Sequence, residues 1–581
     1  MLQSALIRCA TRKAWLEFRD PVAQFAVRDV RDIPALLATL EASVEANAYW
    51  AVGFLTYEAA GAFDDALITH ASATLPLAVF SLFRAPVERD ALPSAEGSAP
   101  LTAGWALSIP REEYRRNIAT IKEQIELGNT YQVNLTMQQT ADLQVTAWEF
   151  FLRIADGAPY AAYLDCGRTA VVSASPELFF SLDGTTVTCK PMKGTAKRGL
   201  TQAADLTQRN ELAASNKNQA ENVMITDMIR NDLGRIARPG SVSATALYDI
   251  EKYRTVWQMT STVNAQTDAG LADMIGALFP SASITGAPKA SSMRIIQSLE
   301  RGPRELYTGT IGYFAPDRRA QFNVAIRTAR IDTATRKADY GIGSGIVWDS
   351  DADAEFEECL AKARVLESPS PPADLELFET LRWTPAAGYW LLEEHLQRLA
   401  GSAGYFDIPW SESRARQLLS ASEVTMGREG RRVRLLLAAD GTFRLQSAAL
   451  PPLDAERCWQ LGLATSPVDA RDPFLYHKTT YRDVYDQASA GTQDYDDVLL
   501  YNSDGYVTET TIANVVFDFD GQRVTPPVSH GLLPGTYRAH LLANGALSEQ
   551  PVHRDQLYDG MPVTLINALR GEFRARLVLS D

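Results

Sequence analysis

Cysteine and histidine are scarce in this chain of 581 residues, which has five of the first and six of the second. The cysteines (Cys9, Cys166, Cys189, Cys359 and Cys458) are scattered, odd in number and form no CxxC pair, so neither a disulfide framework nor a zinc site is indicated. The histidines make no cluster with metal-ligand spacing. Long hydrophobic runs are missing as well. Residues 1–18 lack the continuous apolar core of a secretory signal and no stretch approaches a membrane span, so the cytoplasm is the expected compartment. Basic residues are outnumbered, 56 Lys and Arg against 71 Asp and Glu. The net charge of −15 argues against nucleic acid or an anionic membrane as partner. An anionic small substrate stays open, because local clusters decide that.

What is present is a globular composition and enough length for about four compact units at roughly 150 residues each. Apolar spacing predicts a helix over 32–45, carrying Ile33, Leu36, Leu37 and Leu40 on one face, then a strand over 50–57. Residues 89–104, rich in Ala, Pro, Ser and Gly, read as a loop. A helix over 110–128, with Tyr114, Ile118, Ile121 and Ile125, stops at Gly128-Asn129 and leads into a strand at 131–135. The clearest break is 367–374, where Pro and Ser dominate. It divides the chain into residues 1–367, a linker at 368–374, and residues 375–581. No internal repeat is found, and two proteins fused end to end is the simplest account.

One stretch of the first segment organises the rest. An apolar strand over 173–180 is followed by Asp183-Gly184 and a second run at 186–189, a strong hairpin signal. Pro191 ends the second strand because it offers no ladder N–H. Such a hairpin sets Glu177 and Lys193 on neighbouring strand ends. A lysine in a dry pocket can act as a free-amine nucleophile, and a nearby carboxyl can protonate a leaving group. A lone Lys beside a turn is ordinarily just exposed. Two further helices carry carboxylates. In 218–236, Glu221 shares a face with Ile225 and Met228; in 352–366, Glu355, Glu358 and Lys362 share another. Inward carboxylates from two helices make a plausible oxygen site for Mg2+, although either helix alone reads as a solvated acidic face.

Lys190-Pro-Met-Lys-Gly-Thr195 resembles the signature of the chorismate-utilising enzymes. With Lys193 at its centre, where anthranilate synthases carry Ala, it is most similar to the aminodeoxychorismate synthase component I family. The resemblance spans most of 1–367 and is dense from 110 on. It implies a β-sandwich with flanking helices, Lys193 as covalent nucleophile on the chorismate ring, and Glu177 of Ser175-Pro-Glu-Leu-Phe179 as its acid/base partner. Ala220 to Gly234 and Glu355 to Ala363 resemble the family's two magnesium helices, which makes Glu221 and Glu358 metal ligands with Glu355 in support. Ser283 of Ser283-Ile-Thr-Gly-Ala-Pro-Lys289 matches a hydroxyl contact to substrate, and Tyr307 and Arg327 match the residues that bind its second carboxylate. Gly341-Ile-Gly-Ser-Gly-Ile-Val347 does not fit GxGxxG and opens no helix, so a dinucleotide loop is rejected; Gly345 instead lets a backbone N–H approach a carboxylate. Gln258 stands where related enzymes often carry His.

Residues 375–581 show Glu394-His-Leu-Gln-Arg398, His477-Lys478-Thr479, Val507-Thr-Glu509 and Leu533-Pro-Gly-Thr-Tyr-Arg538 in an order that resembles the class IV aminotransferase fold, and within it aminodeoxychorismate lyase. The resemblance implies a two-subdomain α/β unit, so the whole chain is of the mixed α/β (α+β) class. It also implies pyridoxal 5'-phosphate. Lys478 would hold the cofactor covalently and move protons, Glu509 would pair with its pyridinium nitrogen, and Arg398 and Thr536 would hold its phosphate. Together the two segments imply a bifunctional enzyme that turns chorismate and ammonia into 4-amino-4-deoxychorismate and then, with loss of pyruvate, into 4-aminobenzoate for folate. No Cys sits in a Gly-flanked elbow, so ammonia is expected from a separate glutamine amidotransferase subunit. A homodimer through the cofactor-binding segment is compatible with the resemblance. Two other readings stay open: an anthranilate or isochorismate synthase fused to an amino-acid transaminase, and a non-catalytic binding module that keeps the folds.

Overall fold

The computed structural model describes residues 1–579 except 73, 94–100, 103, 367–373, 425, 451–455 and 491–493. Residues 368–373 of the linker expected at 368–374 and half of the loop expected at 89–104 therefore lie outside the described residues. The chain divides into two compact units, one of residues 1–198 and 208–370, the other of 371–581 together with 199–207.

The first unit is built on two large antiparallel sheets. One runs, strand by strand, from Gly286–Ala287 through Gln132–Asp142, Lys337–Ile346, Thr328–Asp332, Thr169–Ser173 and Ala162–Asp165 to Ser4–Cys9 and beyond. The other starts at Met192–Lys197 and continues through Val256–Gln266, Thr186–Lys190, Leu178–Asp183, Arg319–Val324 and Thr310–Ala315 to Trp50–Leu55 and beyond. Apolar side chains of both sheets, among them Ile7, Phe18, Val52, Phe54, Val171 and Ile311, meet between them. Each outer face needs a cover, and helices supply it. Ile33–Asn47, Asn216–Gly234 and Leu271–Leu278 pack on the second sheet, while Arg111–Glu126, Ala147–Ile154 and Ala352–Ala363 pack on the first. Ile33–Asn47 shows how the sequence specifies this: Pro34 fits its first turn, Ile33, Leu36, Leu37, Leu40 and Val44 are buried along one stripe, and Ala48 in the left-handed region ends it.

The hairpin forms at Asp183-Gly184, with Asp183 opposite Thr186 and Gly184 at a φ of 60°. The strand expected over 173–180 does not form as one piece. Thr169–Ser173 belongs to the first sheet and Leu178–Asp183 to the second, and residues 174–177 cross between them. The cause is local. Pro176 has no ladder N–H, and the Ser175 hydroxyl takes the place of a strand partner, donating to the Val324 carbonyl at 2.7 Å and accepting from the Glu177 N–H at 3.2 Å. The glycine-rich stretch at 341–347 lies almost wholly in the strand Lys337–Ile346, paired along Gln132–Asp142.

The second unit has two subdomains. A four-stranded sheet centred on Glu376–Thr384 and Arg431–Ala438 packs on the helices Leu392–Phe406 and Glu412–Glu423. An eight-stranded mixed sheet contains Trp459–Leu463, Asp497–Tyr501, Val507–Thr510 and Asn514–Phe519. Among the described residues, no helix is long and apolar enough to cross a membrane.

Candidate active sites

Met192–Lys197 is an end strand of its sheet, and its pairing with Val256–Gln266 slips between Met192 and Thr195. The bulge turns Lys193 out of the ladder. Gly194 permits it: its φ is 100°, and a Cβ there would stand 3.1 Å from the Asn218 side chain. Gln258 braces the bulge from across the pair, its Nε2 donating to the Gly194 carbonyl at 2.9 Å and its Oε1 accepting from the Thr195 hydroxyl at 3.1 Å. Asn222 braces it from the helix behind, donating to the Lys193 carbonyl at 3.2 Å.

Glu177, at the end of the crossing segment, is 3% exposed. Ser283 donates to its Oε1 at 2.6 Å. Burial dominates, and it pushes the carboxyl up to about 7 against the smaller opposing effects of Ser283 and of Lys193. Glu177, Lys193, Ser283, Tyr307, Arg327 and Gly345 all line one cavity of about 140 Å3, and so do Glu221, Glu355, Glu358 and Gln258. Arg327 is a cation facing this cavity with no carboxylate partner among the described residues. Its guanidinium lies 5.7 Å from the Tyr253 ring, and burial holds it below the usual arginine value. Gly341 leaves room for the Tyr307 ring, which a Cβ there would meet at 2.1 Å. Gly345 has a neighbour the sequence did not suggest: the point its Cβ would occupy is 2.1 Å from Lys193 Nζ. The space that the missing side chain leaves is taken by the amine.

The three carboxylates on helices each hold a partner. Glu221 Oε2 is 3.5 Å from Lys193 Nζ, Glu358 Oε1 is 2.8 Å from Lys362 Nζ, and Glu355 accepts from the Ser350 hydroxyl at 2.7 Å. Burial is the largest influence on Glu358 and acts to raise it, but the charge and hydrogen bond of Lys362 together with the charges of Lys193 and Lys217 outweigh it and hold the group below its ordinary value. Glu355 is held above its own, first by burial and then by Glu358. Among the described residues no three of His, Cys, Asp and Glu converge as a closed metal set. Hard oxygen donors lining one cavity nevertheless fit Mg2+, which takes one or two carboxylates and completes its shell from water and substrate.

In the second unit Glu509 is 3% exposed and accepts from Tyr485 Oη and the Leu533 N–H, both at 2.9 Å, and from Asn514 Nδ2 at 3.1 Å. Burial pushes it up to about 7. Lys478 lies 4.8 Å from the centre of the Phe378 ring, and burial, with the charge of Arg398 second, brings its amine down to about 8. Arg398 grips Glu379 with two bonds of 2.8 and 2.6 Å and donates a third to the Pro534 carbonyl. Two of its five N–H groups are left for a ligand. Glu379 also pairs with His395 at 2.7 Å; burial opposes the charge, but Arg398 and His395 hold the carboxyl down at about 2. Thr536 opens the helix Thr536–Ala543, its hydroxyl 3.4 Å from His395 Nε2. A buried carboxylate with one oxygen bonded once, a lowered lysine amine and a helix N-terminus beside an arginine fit pyridoxal phosphate. Glu379, His395 and Tyr485 were not chosen from sequence; a carboxylate amid an apolar strand, in Leu377-Phe-Glu-Thr-Leu381, is the signal that could have found the first.

Comparisons with known proteins agree with this division. Residues 6–368 match the family described as chorismate binding enzyme, and residues 376–578 match amino-transferase class IV. Since the first match covers more than half of its length, the chain belongs to the chorismate binding enzymes, here joined to a class IV aminotransferase segment. It is 40% identical over 283 residues to an aminodeoxychorismate synthase of Streptomyces griseus, covering 48% of this chain and 39% of that protein. It is 38% identical over 273 residues to aminodeoxychorismate synthase component 1 of Bacillus subtilis (46% and 58%), and 37% identical over 291 to anthranilate synthase component 1 1 of Haloarcula marismortui (49% and 59%). In each case the chain covers less than two thirds of the relative's own length. Among solved structures, anthranilate synthase component I from Streptococcus pneumoniae shares the fold, with a TM-score of 0.52 at 24% identity over 63% of this chain and 92% of that one.

Proposed function

We propose that the chain makes 4-aminobenzoate from chorismate in two steps, one in each segment. The observation that carries the reading is the gathering of Lys193, the near-neutral carboxyl of Glu177 and the unpaired Arg327 on one cavity. Arg327 and Tyr307 bind a substrate carboxylate, for which a guanidinium fork is suited. Glu177 donates its proton to the 4-hydroxyl, which leaves as water while Lys193 Nζ forms a bond to the ring. Ammonia then bonds to the ring, and the lysine nitrogen leaves with its electron pair. Glu221 and Glu358, with Glu355 behind, would hold Mg2+, whose charge would anchor the other carboxylate. Relatives named aminodeoxychorismate synthase support this reading, and the words "component 1" in some of those names support a separate glutamine amidotransferase as the source of ammonia.

In the second segment pyridoxal phosphate, when bound, supplies an electron sink for loss of pyruvate. Lys478 is its covalent anchor and proton carrier, and Glu509 would keep the ring nitrogen protonated. The free N–H groups of Arg398 and the helix start at Thr536 would hold the phosphate. The Haloarcula relative supports a second reading, anthranilate synthesis; Lys193 opposes it, since that position is Ala in the anthranilate pattern.

The test is K193A. The variant should still bind chorismate and make almost no aminodeoxychorismate from chorismate and ammonium salt. The same product at the parent rate would remove the covalent role.

A further inference from the structure

We propose that Gln132 is a positioning residue for Lys193: its carboxamide oxygen accepts an N–H of the amine and holds the nitrogen lone pair toward the substrate ring. The inference rests on the reading of Lys193 as nucleophile given above. Gln132 is 0% exposed, and neither its Oε1 nor its Nε2 has a hydrogen-bond partner among the described residues. A carboxamide with both ends unpaired in the interior is unusual, because each lost bond to water goes uncompensated. Its backbone is held firmly, by contrast. The Gln132 carbonyl accepts from the Thr130 hydroxyl at 2.9 Å and from the Ser292 hydroxyl at 3.0 Å.

The carboxamide ends beside the amine. Lys193 Nζ and Gln132 Nε2 lie 2.1 and 3.1 Å from the same point, the position a Cβ on Gly345 would take. As placed, the donor Nε2 is the end of the carboxamide nearer that point. A half-turn about the last side-chain bond exchanges the two ends without changing shape and presents Oε1 instead. Lys193 thus stands between two acceptors of different kind. Glu221, at 3.5 Å, holds the amine as an ion pair. The carboxamide is neutral, so it can orient an attacking amine without binding it as a cation. Glycine at 345 is what lets the two side chains meet.

The test uses the full chain with chorismate, Mg2+ and ammonium salt. Q132M keeps the length of the side chain and removes both polar atoms. Its kcat should fall roughly tenfold or more while the KM for chorismate stays within about twofold. Q132E keeps the reach but replaces the neutral acceptor by a carboxylate, which binds the amine as a cation, so it should stay as slow as Q132M. Q132M in a K193A background should slow the residual reaction no further. Q132L serves as the apolar variant if Met is not accommodated. A parental kcat in the apolar variant, or in Q132E, would overturn the proposal. Parental turnover by K193A alone would instead overturn the reading of Lys193.

Discussion

At neutral pH an exposed glutamate is ionised, whereas Glu177 is poised near its midpoint because burial lifts it to about 7. A group that must donate a proton to a leaving hydroxyl works in the acid form. At constant NH3, the rate of the first step should therefore be level below pH 7 and fall about tenfold per pH unit above it. Holding NH3 constant matters, because at fixed total ammonium the NH3 fraction rises with pH and masks the loss. E177Q should lose roughly 10²–10⁴-fold in kcat and show no such limb. The same shift predicts stability. A carboxyl raised from 4.5 to about 7 resists ionisation in the folded state, so the fold loses stability as pH rises from the lower value through the higher. E177Q should then be more stable than the parent at pH 8, by an amount on the order of 3 kcal/mol, and show no gain at pH 4. A pH-independent difference would mean that Glu177 is not the buried acid described.

Secondary structure was legible wherever local chemistry decides it. The Asp183-Gly184 hairpin and the helices Ile33–Asn47, Arg111–Glu126 and Asn216–Gly234 follow from turn residues and apolar spacing. The crossing at 174–177 was not legible, because an apolar run cannot show which of two sheets each half joins. Val223 reads as part of an apolar pattern yet is 37% exposed, since a helix pattern alone does not show where its neighbours end. The cavity was legible in part: residues drawn from short motifs share it, but their supports were not seen. Gln132 and Asn222 lie beside Lys193, far away in sequence, and nothing local marks them. Ser175 is such a support at the scale of an element. S175A leaves the Val324 carbonyl and the Glu177 N–H without their shared hydroxyl. It should cost about 1–3 kcal/mol and lower kcat through the misplaced Glu177. Denaturation and steady-state rates on the same preparation check both, and unchanged values in both would show that the crossing is held by other means.

For the whole molecule, the two family matches meet at the Pro/Ser-rich stretch, with residues 369–375 belonging to neither. A fragment starting near Asp374 should be soluble, take up pyridoxal phosphate with its characteristic absorbance, and release pyruvate from supplied aminodeoxychorismate. A folded, cofactor-loaded fragment that only transaminates would reject the lyase assignment. The central claim concerns the full chain, and one measurement reaches it most directly: the product made from chorismate with Mg2+ and pyridoxal phosphate, using either ammonium salt or glutamine as nitrogen donor, identified by chromatography and mass. The account predicts 4-aminobenzoate and pyruvate in equal amounts from the ammonium salt, with nothing from glutamine until a glutaminase subunit is added. Anthranilate or isochorismate as product, or turnover driven by glutamine in the pure chain, would contradict it.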